Sequence, residues 1–303
     1  MKFGKLSDIT TVDFRLAETE ASNADFLAPV ASERLAVYVG CTGWGMPQWV
    51  ARWYPKGTKS KDFLAAYAQQ FNTIELNTTH YRIPDGATVD KWCTAVPADF
   101  RFCPKVPQRI SHSKQLGLGG DQLPLFWESL ARFASKLGAS FMQLPPYFGF
   151  DRLAQLQHFL SIWPAEYPLS VEFRHESWFA DEQRILDWSA MLREEGVGAV
   201  ITDVAGRRDV LHDQITQPFS VVRFVGNGLV PSDFRRADAW VARMLEWQKI
   251  GLSDLYFFPH QPDNVHAPEM CAYLVEQLQA RGLNTRGPQL IKASDEGQQI
   301  SLF

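Results

Sequence analysis

From Ala36 onward the chain switches repeatedly between two hydrophobic periods. Short apolar runs of strand length recur at Ala36–Cys41, Thr73–Thr79, Arg101–Val106, Ser140–Leu144, Leu169–Arg174, Gly198–Asp203, Ser220–Val225 and Asp254–Phe258. Most are followed by a stretch whose apolar residues recur at helical spacing. Phe63, Leu64, Tyr67, Ala68 and Phe71 make one such face, with Ser60 placed as the N-cap. Phe126–Leu137, Leu153–Leu160, Ile185–Leu192 and Trp240–Ile250 repeat the pattern. Only 205–218, between the sixth and seventh runs, reads as a loop or a single helical turn.

Strands alternating with helices predict parallel pairing and right-handed crossovers. Eight such units predict closure into one domain, a (β/α)8 TIM-type barrel over residues 36–281. An open doubly wound sheet is the alternative, disfavoured because no Gly-rich dinucleotide fingerprint follows the first strand. Residues 1–35 read as a polar extension lying on the barrel or partly without order, and 282–303 as a flexible polar tail.

Composition narrows the function classes. The net charge of −4 gives no global field for nucleic acid, so any anion site must be local. Four cysteines, Cys41, Cys93, Cys103 and Cys271, show no CxxC spacing, which argues against a disulfide framework or zinc knuckle and for a reducing compartment. No signal-like or bilayer-length apolar run occurs. The expectation is a cytoplasmic protein without a membrane partner.

Chemistry enters through strand alternation, because every second side chain faces the barrel axis. Ile74 and Leu76 suit the helix side, which sends Glu75, Asn77 and Thr79 inward. Val171 and Phe173 do the same for Glu172 and Arg174. By this rule Lys105, Gln143, Asp203 and Arg223 also point to the axis or its upper rim. Barrel interiors normally hold Val, Ile and Leu. Six charges there are costly for structure alone, because desolvation offsets the attraction of buried pairs. The bland alternative is a self-neutralising network of ion pairs. The functional reading assigns Glu75, Glu172, Asp203 and His175 to catalysis. It assigns Lys105, Arg174 and Arg223, with Asn77, Gln143, His112 and Arg82, to an anionic substrate, since guanidinium groups bind phosphate in a bidentate way.

Aromatic residues add to this. Trp44 sits at the end of the first strand and Tyr81 just past the second, where either could stack on a base or sugar. Trp178 follows the fifth strand. Trp49 and Trp53 read as caps. The histidines near strand ends, His80, His112, His175 and His260, match no HExxH-like spacing, so a divalent metal draws only on the acids and scattered imidazoles.

Several of these segments together resemble the YecE-like family, domain of unknown function 72. They are Gly40-Cys41-Thr42-Gly43-Trp44, Glu75 to Arg82, Lys105 with Ile110-Ser111-His112, Gln143-Leu144-Pro145-Pro146 and Val171 to Trp178. The resemblance runs from about Val37 to the eighth strand. It implies a TIM-type barrel and no established activity. The sequence departs from the family pattern at His80, where an aromatic is usual. It departs again at Arg223-Phe224-Val225-Gly226 and at Phe258-Pro259-His260-Gln261. Separately, Gln299-Ile300-Ser301-Leu302-Phe303 resembles the pentapeptide with which bacterial DNA-processing proteins dock on the replicative sliding clamp. Leu302 and Phe303 would fill an apolar pocket and Gln299 would bond at its edge.

Three functions are consistent with this set. The first is a hydrolase or lyase on a phosphate-bearing nucleotide or short nucleic acid. The second is an enzyme on a sugar or sugar phosphate. The third is a non-catalytic nucleic-acid or clamp-associated module.

Overall fold

The computed structural model describes residues 4–28 and 34–291. It is an α/β fold, with strands β1 (Ala36–Val39), β2 (Thr73–Leu76), β3 (Arg101–Pro104), β4 (Ser140–Gln143), β5 (Leu169–Glu172), β6 (Gly198–Asp203), β7 (Phe219–Val225) and β8 (Asp254–His260). Each predicted apolar run overlaps one of them, with β7 starting one residue before its run and β8 ending two residues after. The helices are α1 (Ala21–Leu27), α2 (Phe63–Gln70), α3 (Thr78–Tyr81), α4 (Gly86–Thr94), α5 (Gln108–Ser111), α6 (Gln122–Ala131), α7 (Leu153–Ser161), α8 (Glu182–Glu194), α9 (Pro231–Lys249) and α10 (Ala267–Gln279).

All strand pairs are parallel. Six strands form a sheet in the order β1-β8-β7-β6-β5-β4, and β2 pairs with β3. Backbone contacts join the two sheets at both seams. The Glu75 N–H donates to the Cys41 carbonyl at 3.0 Å, and the Val106 N–H donates to the Phe141 carbonyl at 2.9 Å. The first seam needs a glycine: a Cβ on Gly40 would lie 2.2 Å from the Thr73 carbonyl oxygen.

Alternation along the strands sorts the core into layers. Ile74, Ile201, Val222, Phe224 and Phe257 pack with the helix residues Tyr67, Trp240, Met244 and Leu274. Their neighbours of opposite phase, Phe141, Val200, Val221, Tyr256 and Phe258, form a separate small cluster with Cys103. Burying each such side chain stabilises the fold by about 1.5–3 kcal/mol. On α2 the expected face is buried through Phe63, Leu64, Tyr67 and Ala68. Ser60 does not cap it: Ser60–Asp62 is a 3-10 turn, and Asp62 stands at the N-cap position.

Between β6 and β7 the chain makes only a 3-10 turn, Arg208–Val210, and the N-terminal segment packs against that connection. Asn23 is fully buried. Its Nδ2 donates to the Asp213 carbonyl at 2.6 Å, and its Oδ1 accepts the Ile215 N–H at 2.9 Å. Arg193 of α8 donates to the Ile215 carbonyl, and Arg243 of α9 to the Ala17 carbonyl. Residues 282–291 also pack, further than the expected start of the tail. Thr285 Oγ1 donates to the Val37 carbonyl at 2.6 Å, and the Ile291 N–H to the Arg52 carbonyl at 2.9 Å. Among the described residues no helix is long and apolar enough to cross a membrane.

Candidate functional site

Near the carboxyl ends of the strands the inner cluster gives way to a buried polar network. Its centre is Arg223 of β7, which is 1% exposed and whose Cζ lies 5.3 Å from the centre of the Phe141 ring. Nε and Nη2 donate to the two carboxylate oxygens of Glu75, each at 2.9 Å. Nη1 donates to Glu172 Oε2 at 2.6 Å and reaches Gln143 Oε1 at 3.4 Å. Glu75 also accepts from Asn77 Nδ2 at 2.8 Å and from His260 Nε2 at 3.0 Å. Arg174 Nε donates to Glu172 Oε1 at 2.7 Å. Thus Glu75, Asn77, Lys105, Gln143, Glu172, Arg174 and Arg223 converge as strand alternation predicts.

Lys105 follows β3. Its carbonyl accepts the Thr79 hydroxyl at 2.7 Å, and the same hydroxyl contacts the Leu76 carbonyl, which ties the ends of β2 and β3 together. Its Nζ donates to Gln143 Oε1 at 3.0 Å, a neutral acceptor already shared with Arg223. Two imidazoles stand nearby: His80 and His112 meet edge to face with ring centres 5.6 Å apart. His80 Nδ1 bonds the Val106 carbonyl at 2.9 Å, which fixes the proton on that nitrogen and leaves Nε2 as an acceptor. His112 Nδ1 bonds the Ser111 hydroxyl, and the Tyr147 hydroxyl donates to the His112 carbonyl. Tyr81, 80% exposed, lies against His80.

The electrostatics follow from this packing. Burial would raise the Glu172 carboxyl, but Arg174 and Arg223 outweigh it and hold it down to about 2. Burial likewise opposes ionisation of Glu75, and Arg223 with His260 overcomes it, leaving the carboxyl well below its usual range. Lys105 is pushed down to about 8 by burial and by Arg223, against the pull of Glu172 and Glu75. His80 falls to about 4 through burial and Lys105, and His112 is lowered by burial, Lys105 and Arg174. Burial also lowers His260, against the pull of Glu75. Lys105, Arg174 and Arg223 therefore face two carboxylates, and the neighbouring imidazoles are neutral at neutral pH.

Other expected site residues lie elsewhere. Asp203 points to the helix layer: its oxygens take Arg208, Arg236 of α9 and the indole N–H of Trp240. Trp178 is fully buried, donates to the Phe148 carbonyl and packs on Phe173, so it is a core residue. His175 Nδ1 bonds the Ser177 hydroxyl at 2.8 Å and accepts the Ser177 N–H, capping a 3-10 turn beside a cleft shared with Arg184 and Arg207. Trp44 packs edge-on against Trp92. Arg82 is exposed where α3 ends. Arg223 is placed as predicted, but its guanidinium is committed to Glu75, Glu172 and Gln143 and is not presented to a ligand. Gln299, Leu302 and Phe303 lie outside the described residues. Among the described residues no three His, Cys, Asp or Glu side chains gather into a metal-ligand set. Sequence reasoning left His260 unassigned, although Tyr256, Phe258 and His260 alternate in phase along β8.

Comparisons with known proteins agree with this architecture. The UPF0759 protein YecE of Escherichia coli (strain K12) is 32% identical over 260 residues, spanning 80% of this chain and 92% of that protein. The UPF0759 protein YunF of Bacillus subtilis (strain 168) is 29% identical over 152 residues, 48% of this chain and 52% of that one. A crystal structure of a DUF72 family protein (EF0366) from Enterococcus faecalis V583 matches with a TM-score of 0.67 at 20% identity, covering 84% of this chain and all of that one. That likeness speaks to the fold alone. Residues 38–293 match the family described as protein of unknown function DUF72, and the chain belongs to that family.

Proposed function

We propose that the chain is an enzyme acting on a phosphate-bearing substrate, a nucleotide or short nucleic-acid strand, at the carboxyl ends of its strands. The reaction class is hydrolysis or elimination at a phosphodiester or glycosidic bond. One observation carries the reading: among the described residues, three buried cations, Lys105, Arg174 and Arg223, gather around the carboxylates of Glu75 and Glu172 at the strand ends. Such a cluster of buried cations suits an anionic ligand. The architecture assumed is a closed TIM-type barrel, single-domain apart from its terminal segments, which the contacts Glu75–Cys41 and Val106–Phe141 across both seams support.

The roles differ from residue to residue. Arg174 and Lys105 meet the phosphate, and Arg223 fixes both carboxylates. Glu172, held down to about 2, is too weak a base to remove a proton efficiently and instead stabilises positive charge developing on a sugar ring. Tyr81 offers an exposed ring for stacking. The segment Gln299-Ile300-Ser301-Leu302-Phe303 would recruit the enzyme to a sliding clamp.

The test is thermal shift and calorimetry with phosphate, sulfate and nucleotides. Binding is expected to stabilise the protein, and Arg174→Ala is expected to weaken it about tenfold or more, as for loss of a charge-assisted contact worth ~1.5–3 kcal/mol. No stabilisation by any of these anions overturns the reading.

A further inference from the structure

The amine of Lys105 is buried among other cations and is held by a neutral acceptor. The side chains around it come from several elements. Gln143 of β4 is its acceptor, and Arg223 of β7 reaches the same oxygen. Arg174 and Glu172 approach from the β5 side, Glu75 from β2, and the neutral His80 and His112 stand beside it. The Phe141 ring lies 5.9 Å from Nζ. Both carboxylates are already engaged, Glu75 by Arg223, His260 and Asn77, and Glu172 by Arg174 and Arg223. Lys105 thus sits beside other cations, with an amide oxygen and an aromatic ring as its near neighbours. Desolvation beside a second cation is the arrangement that turns a lysine into a nucleophile.

We propose that Lys105 attacks the carbonyl carbon of a phosphorylated aldehyde and forms an imine with it. The Nζ lone pair makes the C–N bond as the C=O π pair moves to oxygen. One N–H proton passes to that oxygen and gives the carbinolamine. The C–O bond then breaks, and the hydroxyl leaves with the second amine proton as water. No oxidant or reductant is consumed. The proton released by Lys105 as it becomes neutral goes to solvent, and its affinity near 8 puts about a tenth of the amine in that form at pH ~7. The substrate class rests on the phosphate reading above, with Arg174 holding the phosphate while Lys105 meets the aldehyde. A free sugar phosphate in its open-chain form and an abasic nucleotide within a DNA strand share this chemistry.

The experiment treats the full chain with glyceraldehyde 3-phosphate, with glyceraldehyde, or with an abasic oligonucleotide, then reduces with sodium borohydride. Hydride addition at the imine carbon gives a stable secondary amine, which peptide mass mapping locates without recourse to a variant. The expected result is an adduct at Lys105, at least tenfold more from a phosphorylated aldehyde than from glyceraldehyde, increasing as pH rises through ~8 and lost in Lys105→Arg. The phosphorylated arm with the higher yield identifies the source. Adducts confined to surface lysines, in a protein that inorganic phosphate still stabilises, overturn the imine and leave the anion reading standing. Equal labelling of Lys105 by glyceraldehyde and its phosphate, unaffected by inorganic phosphate, keeps the imine and overturns the phosphate.

Discussion

Arg223 grips Glu75 by two parallel hydrogen bonds, Nε to Oε2 and Nη2 to Oε1, both 2.9 Å and both fully buried. The same guanidinium reaches Glu172, so one cation serves two carboxylates. Removing it leaves Glu75 without its strongest partner and takes one of two arginines from Glu172. Arg223→Met is therefore expected to destabilise the protein by about 3–5 kcal/mol, the usual cost of breaking a buried pair. Denaturant unfolding checks this. Adding Glu75→Gln to Arg223→Met should recover part of the loss, because the stranded charge is gone. A variant that unfolds at the wild-type midpoint would show that the network does not hold the strand ends together.

The same pairs set an acid limit. The folded pKa of Glu172 is depressed from 4.5 to about 2, and that of Glu75 lies well below 4.5. A depressed carboxyl pKa contributes stability above the unfolded value, which is lost as pH falls through the folded one. Stability should therefore drop between pH ~4.5 and ~2. Glu172→Gln should be less stable at neutral pH and show a flatter fall across that window. Urea midpoints measured along the pH series test both statements.

Lys105 gives stability the same rise with pH, at higher pH, but for the opposite reason: its charged form is the one the fold disfavours. Its folded pKa is lowered from 10.5 to about 8, so the unfolded chain holds more protons between those values, and stability rises with pH across that interval. The charged amine is a burden to the fold at neutral pH. Lys105→Met is expected to stabilise the free protein by ~1 kcal/mol while abolishing the thermal shift caused by phosphate, the trade-off of a residue kept for binding. Loss of stability together with unchanged phosphate binding would assign Lys105 a purely structural place.

How far the site could be read in advance depended on strand alternation. Glu75 lies between Ile74 and Leu76, and Glu172 between Val171 and Phe173, so the outward apolar neighbours fix the inward charge. In β6 the run Gly198-Ala199-Val200-Ile201-Thr202-Asp203 is buried on both faces and carries no such alternation. The inward assignment of Asp203 therefore had no alternating apolar neighbours behind it, and the structure overturns it. Its partners Arg208, Arg236 and Trp240 are made by folding and are invisible to local spacing. Trp178 shows the same limit: its place just past the fifth strand suggested a substrate contact, but its indole N–H is satisfied by the Phe148 carbonyl, thirty positions away. The strands were legible because short apolar runs between helical stretches need no distant partner to be recognised.

The segment Gln299-Ile300-Ser301-Leu302-Phe303 is expected to bind a purified bacterial sliding clamp. Two apolar anchors and one amide support a Kd on the order of micromolar, because ordering a short peptide offsets much of the contact energy. Deleting Leu302 and Phe303 should abolish capture of the protein on immobilised clamp and leave its unfolding midpoint unchanged. Absence of binding by the intact chain at high micromolar concentration removes the recruitment proposal without touching the site at the strand ends.

The N-terminal segment is expected to be part of the folded body. The β6–β7 connection supplies only a 3-10 turn, so no crossover helix satisfies the backbone of residues 211–217. Asn23 does so, giving Nδ2 to the Asp213 carbonyl and accepting the Ile215 N–H, and it is fully buried. Arg193 and Arg243 anchor the same region from α8 and α9. Asn23→Ala leaves one buried donor and one buried acceptor unpaired, at a cost of about 1–3 kcal/mol for each group. Asn23→Asp keeps the acceptor but loses the donor, and it places a carboxylate beside Asp213, so it should be no better tolerated. Hydrogen exchange at the Ile215 amide gives the sharper readout, because that N–H bonds directly to the substituted side chain. Protection of this amide should fall in Asn23→Ala while the amides of β7 and β8 keep theirs. If Ile215 stays protected, the connection holds itself in place and the N-terminal segment only rests upon it.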